Sequence, residues 1–300
     1  MPATEEFRES LLVFISTPAY VILIGAEILL SHYRKSTTYT IRGAVENVYL
    51  MLLNMGLDIL LRGFYLIFFN FLFAYTFVTW EYNWIYWVCL LVAQDLMFWI
   101  LHFADHYCRI FWAVHVTHHS SEEFNLTVGF RSSVFQPLYR FLFFIPLCFL
   151  GFRGIDIMFM YSATQIYGIL IHTQYVGKLG FLEYIFATPS NHRVHHGSNH
   201  MYLDRNMGMV FIFWDRLFKT YSPETEEVKY GLTENIESHN PVNVIFHEWR
   251  SMWKDVRTAP GLKNKFMYIF GPPGWSHDGR KKTSKQLRAE AKRSTLNVPR

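Results

Sequence analysis

Charge is scarce in this 300-residue chain. Asp, Glu, Lys and Arg make up 17% of it, where soluble domains carry about a quarter, while 51% of its residues are apolar and 18% aromatic. So thin a polar shell speaks against an ordinary soluble globule and leaves apolar surface that must face lipid. Cysteine is nearly absent too. Cys89, Cys108 and Cys148 are odd in number, and two of them lie in apolar runs. They exclude a disulfide framework and a zinc site built on cysteine pairs, and they read as buried thiols in a reducing compartment. No glycine-rich dinucleotide fingerprint is present, which excludes a fused nicotinamide-binding domain. The net charge is only +4, and no nucleic-acid partner is expected. The first apolar run has no basic leader and no small-residue cleavage site, so no cleavable signal peptide is expected.

What the chain does have is long apolar runs. Leu11–Leu30 contains one ionisable residue, Glu27; Leu61–Trp80 has only Arg62 at its start; Ile85–Leu101 has only Asp95. Val134–Phe152 and Ile155–Ile171 form a further pair joined by Arg153 and Gly154. Crossing a hydrocarbon core of about 30 Å takes roughly 20 helical residues, and most of these runs approach that length. An all-α, polytopic membrane protein of about four to five spans is expected. Residues 43–60 alternate in polarity and read as an amphipathic helix at the interface. Glu81–Trp84 allows only a hairpin turn between two spans, and Val134–Ile171 makes a second hairpin. Segments 31–60, 102–133 and 172–300 then emerge on one side, together with Arg34, Lys35, Arg42 and a basic tail. The positive-inside rule makes that side cytoplasmic and leaves Glu5, Glu6 and Glu9 on the other. On this topology the sequon at Asn125 faces the cytoplasm and goes unused.

The same side carries the densest feature of the chain. Ten of its fourteen histidines fall between His102 and His200, and eight sit in three clusters: His102 and His106; His115, His118 and His119; His192, His195 and His196. Spacings of three and four stack imidazoles on one helical face, and neutral imidazoles are nitrogen ligands for transition metals. Eight donors are too many for one four-coordinate ion, so two metals are expected. Tight histidine pairs do not suit haem, and an all-nitrogen bimetallic site with open positions suits iron and dioxygen. Carboxylates that could orient the rings are Asp95, Asp105, Glu122, Asp204 and Asp215. Asp95, seven residues before His102, falls on the same helix face and is the leading candidate, with Asp204 beside it. His32, His239, His247 and His277 have no partner at ligand spacing and read as surface residues.

The clusters resemble those of the fatty acid hydroxylase and sterol desaturase superfamily of membrane di-iron enzymes. The likeness runs on through His118–Asn125, Ile171–Thr173, Thr188–Asn199, Tyr202–Asp204 and Trp214–Phe218. Within the superfamily the chain is most similar to the alkylglycerol monooxygenase branch, through Thr188–Asn199, Tyr230–Leu232, Pro260-Gly261 and Gly271–Trp275, over roughly residues 45–278. The resemblance implies that the eight clustered histidines are iron ligands, with His172 a ninth; the position matching His200 varies, and it is left out. It implies two iron ions, oxidation of a lipid C–H bond by O2, and an external reductant, either tetrahydrobiopterin or a cytochrome b5 or ferredoxin chain. The expected reaction is cleavage of an alkylglycerol ether to a fatty aldehyde and a glycerol derivative. Sterol desaturation, methyl-sterol oxidation or acyl hydroxylation is the alternative, and a non-catalytic membrane metal protein the reading from another class. Phe103, Tyr107 and Met207 depart from the family pattern. The regions expected are an N-terminal span and basic loop (1–45), a membrane di-iron domain (46–221), a cytoplasmic cap extension (222–279) and a disordered basic tail (280–300). The membrane is endoplasmic reticulum in a eukaryote or the inner membrane in a bacterium.

Overall fold

The computed structural model describes residues 2–296, without the side chains of 2–7, 9, 295 and 296, so the carboxylates of Glu5, Glu6 and Glu9 lie outside the described residues. Helices α1 (Pro2–Tyr33), α2 (Ile41–Phe73) and α3 (Trp84–Tyr107) are each long and apolar enough to cross a bilayer, and the protein is an integral membrane protein. Among the described residues there are no strands, only an isolated bridge between Phe186 and Phe211.

Two features of the span reading change. Helix α2 runs unbroken through residues 43–60, so the expected interfacial helix and the second span are one element. Thr40 starts it, its hydroxyl accepting the Gly43 N–H at 2.9 Å, and no proline interrupts the 33 residues that follow. It ends at Phe73, short of Trp80. Secondly, Val134–Phe152 is not a spanning helix. Pro137 and Pro146 each lack an N–H and crowd the preceding turn, and the segment breaks into 3-10 turns at Gln136–Leu138 and Arg140–Phe144 and a short α5 (Ile145–Phe149). Gly151, at φ 86°, then reverses the chain in a region closed to most side chains. The apolar residues of this segment turn inward. Phe141, Phe144, Leu147 and Phe152 pack with Tyr65, Phe69, Leu90 and Ile157 in the principal core. Helix α6 (Gly154–Leu170) has 17 residues, about 26 Å at 1.5 Å each, less than the roughly 30 Å core. Among the described residues three helices meet the length of a span, where four to five spans were expected.

The remaining helices cluster at the end of α3: α4 (Arg109–His119), α7 (Pro189–His195), α8 (Phe213–Leu217), α9 (Pro241–Thr258) and α10 (Gly261–Phe270). Helix α9 packs on α4 and α10, and the Arg109 N–H donates to the Gly271 carbonyl at 3.0 Å, tying the end of α10 to the exit of the third span. Within the tail expected to be disordered, Ser284–Leu296 is helix α11, and residues 297–300 lie outside the described residues. Thr283 and Gln286 explain its start. The Thr283 N–H donates to Gln286 Oε1 at 2.8 Å and the Gln286 N–H to the Thr283 hydroxyl at 3.4 Å, a reciprocal capping box.

The lone acid of the first span ties α1 to the cap. Glu27 is buried and accepts hydrogen bonds from the Leu126 N–H (2.9 Å), the Thr173 hydroxyl (2.5 Å) and the Tyr39 hydroxyl. Thr173 adjoins His172, so this carboxylate fixes the ground beneath one predicted ligand. Glu27→Gln, which trades an acceptor oxygen for a donor, is expected to cost about 1–3 kcal/mol, read as a lowered thermal midpoint of the purified protein.

Candidate metal centre

The nine histidines reach the site from four elements. Helix α3 carries His102 and His106 four residues apart in its last turns, where Cys108 adopts an extended conformation and ends it. Helix α4 restarts at once and presents His115, His118 and His119. His172 follows the end of α6, its N–H donating to the Ile169 carbonyl at 3.1 Å. Thr188 caps α7 by accepting the Asn191 N–H, Pro189 opens its first turn, and His192, His195 and His196 line it.

All nine predicted ligands converge. His102, His106, His115, His119 and His195 form one group and His118, His172, His192 and His196 a second, and within each group one donor atom per residue lies within 4.8 Å of all the others. The Nε2 atoms of His102 and His115 are 3.1 Å apart, those of His115 and His119 3.2 Å, those of His118 and His172 3.4 Å, and those of His172 and His192 2.9 Å. His200 stays outside and exposed, and His32, His239, His247 and His277 join neither group.

The outer ring nitrogens decide the tautomers. His102 Nδ1 meets the Met207 carbonyl at 2.8 Å, His118 Nδ1 that of Arg131 at 2.8 Å, His172 Nδ1 that of Gly168 at 2.7 Å, and His195 Nδ1 that of Arg205 at 2.9 Å. A carbonyl can only accept, so each Nδ1 carries the proton and each Nε2 of the neutral ring is a bare lone pair. Burial pushes His115, His119, His192, His195 and His196 well below the usual histidine range, and His118 to about 4, so these rings are neutral near pH 7. The Nε2 atoms of His106, His195 and His196 are buried without a hydrogen-bond partner. His118 and His172 face one another with bare lone pairs at 3.4 Å, which repel, yet the 2.9–3.4 Å spacing of the four Nε2 pairs is close to the edge expected around an ion with bonds of about 2.1 Å to nitrogen. The residues fit bound transition-metal ions. Because protons compete with the depressed imidazoles of the His118, His172, His192 and His196 group, metal affinity there is expected to stay nearly flat from pH 7.5 to 5.5, where an exposed histidine site would weaken, and to fall as pH approaches 4. A metal titration of the purified protein across that range checks this.

The predicted orienting carboxylates divide. Asp204 Oδ1 lies 3.3 Å from His106 Nδ1, and Asp105 Oδ2 lies 3.7 Å from His115 Nδ1. Asp95 touches no imidazole. Its oxygens accept the Val210 N–H (2.9 Å), the Phe211 N–H (3.0 Å) and the Trp214 indole N–H (3.1 Å). Seven helical residues amount to about 10.5 Å of rise, too far for a carboxylate to reach the ring of His102 along the same face. Asp215 works likewise on backbone, accepting the Met207 and Gly208 N–H groups at 2.8 Å each. The sequence reading missed Arg131, which is 1% exposed and whose carbonyl receives His118. Its guanidinium donates to the Thr117 carbonyl (2.8 Å), the Ser120 hydroxyl (2.9 Å), Asn47 Oδ1 (3.1 Å) and Glu46 Oε1 (3.1 Å), locking the α4 C-terminus to α2. A cavity of about 620 Å³ opens on His106, His119, His195 and His196, walled by Arg109, Lys281 and Lys282 among others.

The family model for fatty acid hydroxylases matches residues 87–220, the stretch that supplies every one of these histidines. The chain is 39% identical over 199 residues to the alkylglycerol monooxygenase of Homo sapiens, covering 65% of this chain and 44% of that protein. It is 35% identical over 213 residues to the alkylglycerol monooxygenase of Caenorhabditis elegans, covering 65% and 41%. It is 30% identical over 146 residues to methylsterol monooxygenase 1 of Rattus norvegicus, covering 46% and 48%. The chain therefore spans less than half the length of these relatives. No solved structure matches it significantly.

Proposed function

We propose that this chain is a membrane di-iron monooxygenase that hydroxylates an alkylglycerol at the carbon beside the ether oxygen. The observation that carries the reading is the five-and-four division of nine buried or half-buried imidazoles at the end of a spanning helix, in a domain whose relatives include alkylglycerol monooxygenases. One iron would sit among His102, His106, His115, His119 and His195, the other among His118, His172, His192 and His196. When bound, the pair supplies the binding and activation of O2. The overall change is insertion of one oxygen atom into the C–H bond, the other leaving as water with two electrons and two protons from a reductant. The product is a hemiacetal, which falls apart to a fatty aldehyde and a glycerol derivative.

The chain's own groups prepare this chemistry. Carbonyls hold His102, His118, His172 and His195, and Asp204 faces His106, each by its Nδ1, so that Nε2 of these rings is left free to bind. The alkyl chain would approach from the side of the apolar spans. The polar cavity over His106 and His195 is the route for the reductant, tetrahydrobiopterin or a cytochrome b5 or ferredoxin chain. The positive-inside asymmetry of the sequence supports a cytoplasmic mouth. Purified, iron-loaded protein supplied with an alkylglycerol, O2 and reduced pterin should release fatty aldehyde; oxidation of a 4-methylsterol in place of the ether would overturn the substrate assignment in favour of the sterol branch.

A further inference from the structure

One short loop serves three rings of the same group. Between Asp204 and Met207, the Asp204 carboxylate faces His106, the Arg205 carbonyl accepts His195 and the Met207 carbonyl accepts His102. These are three of the five histidines of one group, whereas the orienting carbonyls for the other group come from Arg131 and Gly168 on separate elements. To aim three acceptors from four residues the backbone turns twice into the left-handed region, at Asp204 (φ 49°) and Asn206 (φ 56°). Such a conformation persists only when its surroundings hold it. Asn206 is held from inside: its amide donates to the Asn191 and Ser222 carbonyls at 2.9 and 2.8 Å. The Asp204 end is held from helix α11, outside residues 87–220. Arg288 Nη1 donates to the Leu203 carbonyl at 2.6 Å and to Asp204 Oδ2 at 3.3 Å, while Asp204 Oδ1 is the oxygen that faces His106.

We propose that Arg288 is a positioning residue for one metal site only: through Asp204 it sets the orientation of His106 and, through the 204–207 loop, the geometry of the five-histidine group. This rests on the two-metal reading above. The C-terminal helix is thereby part of the metal centre, and loss of its anchor should separate the two sites in affinity. Both hydrogen bonds come from a single nitrogen, so an ammonium at this position can reproduce part of the arrangement, which a purely space-filling role would not require.

The test is titration of the full-length protein, stripped of metal, with Co(II), whose visible spectrum reports each bound ion. Wild type should take up two equivalents; failure to do so would defeat the two-metal reading itself, whatever Arg288 does. Arg288→Ala should weaken one equivalent by about 10–100-fold and leave the other at its wild-type affinity. Arg288→Lys should recover most of that loss, and it serves as the comparison should the alanine variant fold poorly. In a His118→Ala background, which disables the four-histidine group, Arg288→Ala should weaken the remaining ion; in a His106→Ala background it should leave the remaining ion unchanged. Two unaltered sites in Arg288→Ala, or an equal weakening of both, would overturn the proposal while leaving the two-metal reading standing.

Discussion

Replacing His102 by Ala is expected to leave the protein with one bound metal ion and no measurable lipid oxidation. His102 belongs to the five-histidine group, and its Nε2 lies 3.1 Å from that of His115, so its removal opens that group at its centre. Loss of an outer partner costs about 10–100-fold in metal affinity, and loss of a ligand should exceed that. His172→Ala is the mirror experiment on the four-histidine group, where its Nε2 stands 2.9 Å from that of His192 and 3.4 Å from that of His118. Each variant should retain about one metal per chain by elemental analysis and lose turnover, because the reaction proposed needs both ions. Retention of two metals in either variant would mean that the histidine concerned is not a ligand.

Arg131→Ala is expected to be the most destabilising substitution outside the ligands. The guanidinium is completely enclosed and binds four partners from α2, α4 and the turn after α4. Its removal strands the Glu46 carboxylate, the Thr117 carbonyl and Asn47 around a cavity, and unpairing a buried charge typically costs about 3–5 kcal/mol. Arg131→Lys should recover little, since one ammonium cannot span positions that the planar fork meets at three nitrogens. Because the Arg131 carbonyl also receives His118, affinity at the four-histidine group should fall along with the thermal midpoint. Thermal unfolding in detergent, followed with and without metal, measures both.

Much of the site was legible because its chemistry is written in residue types. Histidines at spacings of three and four can share a helix face only one way, and α3, α4 and α7 place them so. His172, solitary in the chain, was reached through family resemblance, and its Nε2 lies beside those of His118 and His192. The groups that orient the rings were largely illegible. Four are backbone carbonyls, which every residue possesses, so no side-chain pattern marks Arg131, Gly168, Arg205 or Met207 for the task. The unusual Met207 illustrates this: its side chain departs from the family pattern, but the atom that meets His102 is its carbonyl. Asp95 was misassigned because sharing a face was taken as sharing a neighbour, and about 10.5 Å of helical rise separates it from His102.

Other misses had signals in the sequence. Pro137 and Pro146 inside Val134–Phe152 argue against one continuous helix, and hydropathy alone hides them. Thr283-Ser284-Lys285-Gln286 is a capping box at the head of a segment that reads as a solvated tail. Its helix brings Arg288 to Asp204, so the polar end of the chain reaches the metal centre that the apolar part supports. Glu27 shows the reverse case. An isolated acid in a span signals function or structure, and only the fold reveals that its partners, Tyr39, Leu126 and Thr173, come from three separate segments.

The most direct measurement is anomalous diffraction from the iron-loaded protein, recorded on both sides of the iron absorption edge. Two peaks are expected, one enclosed by His102, His106, His115, His119 and His195, the other by His118, His172, His192 and His196. A single peak, or two peaks away from these rings, would contradict a di-iron centre built from the nine histidines.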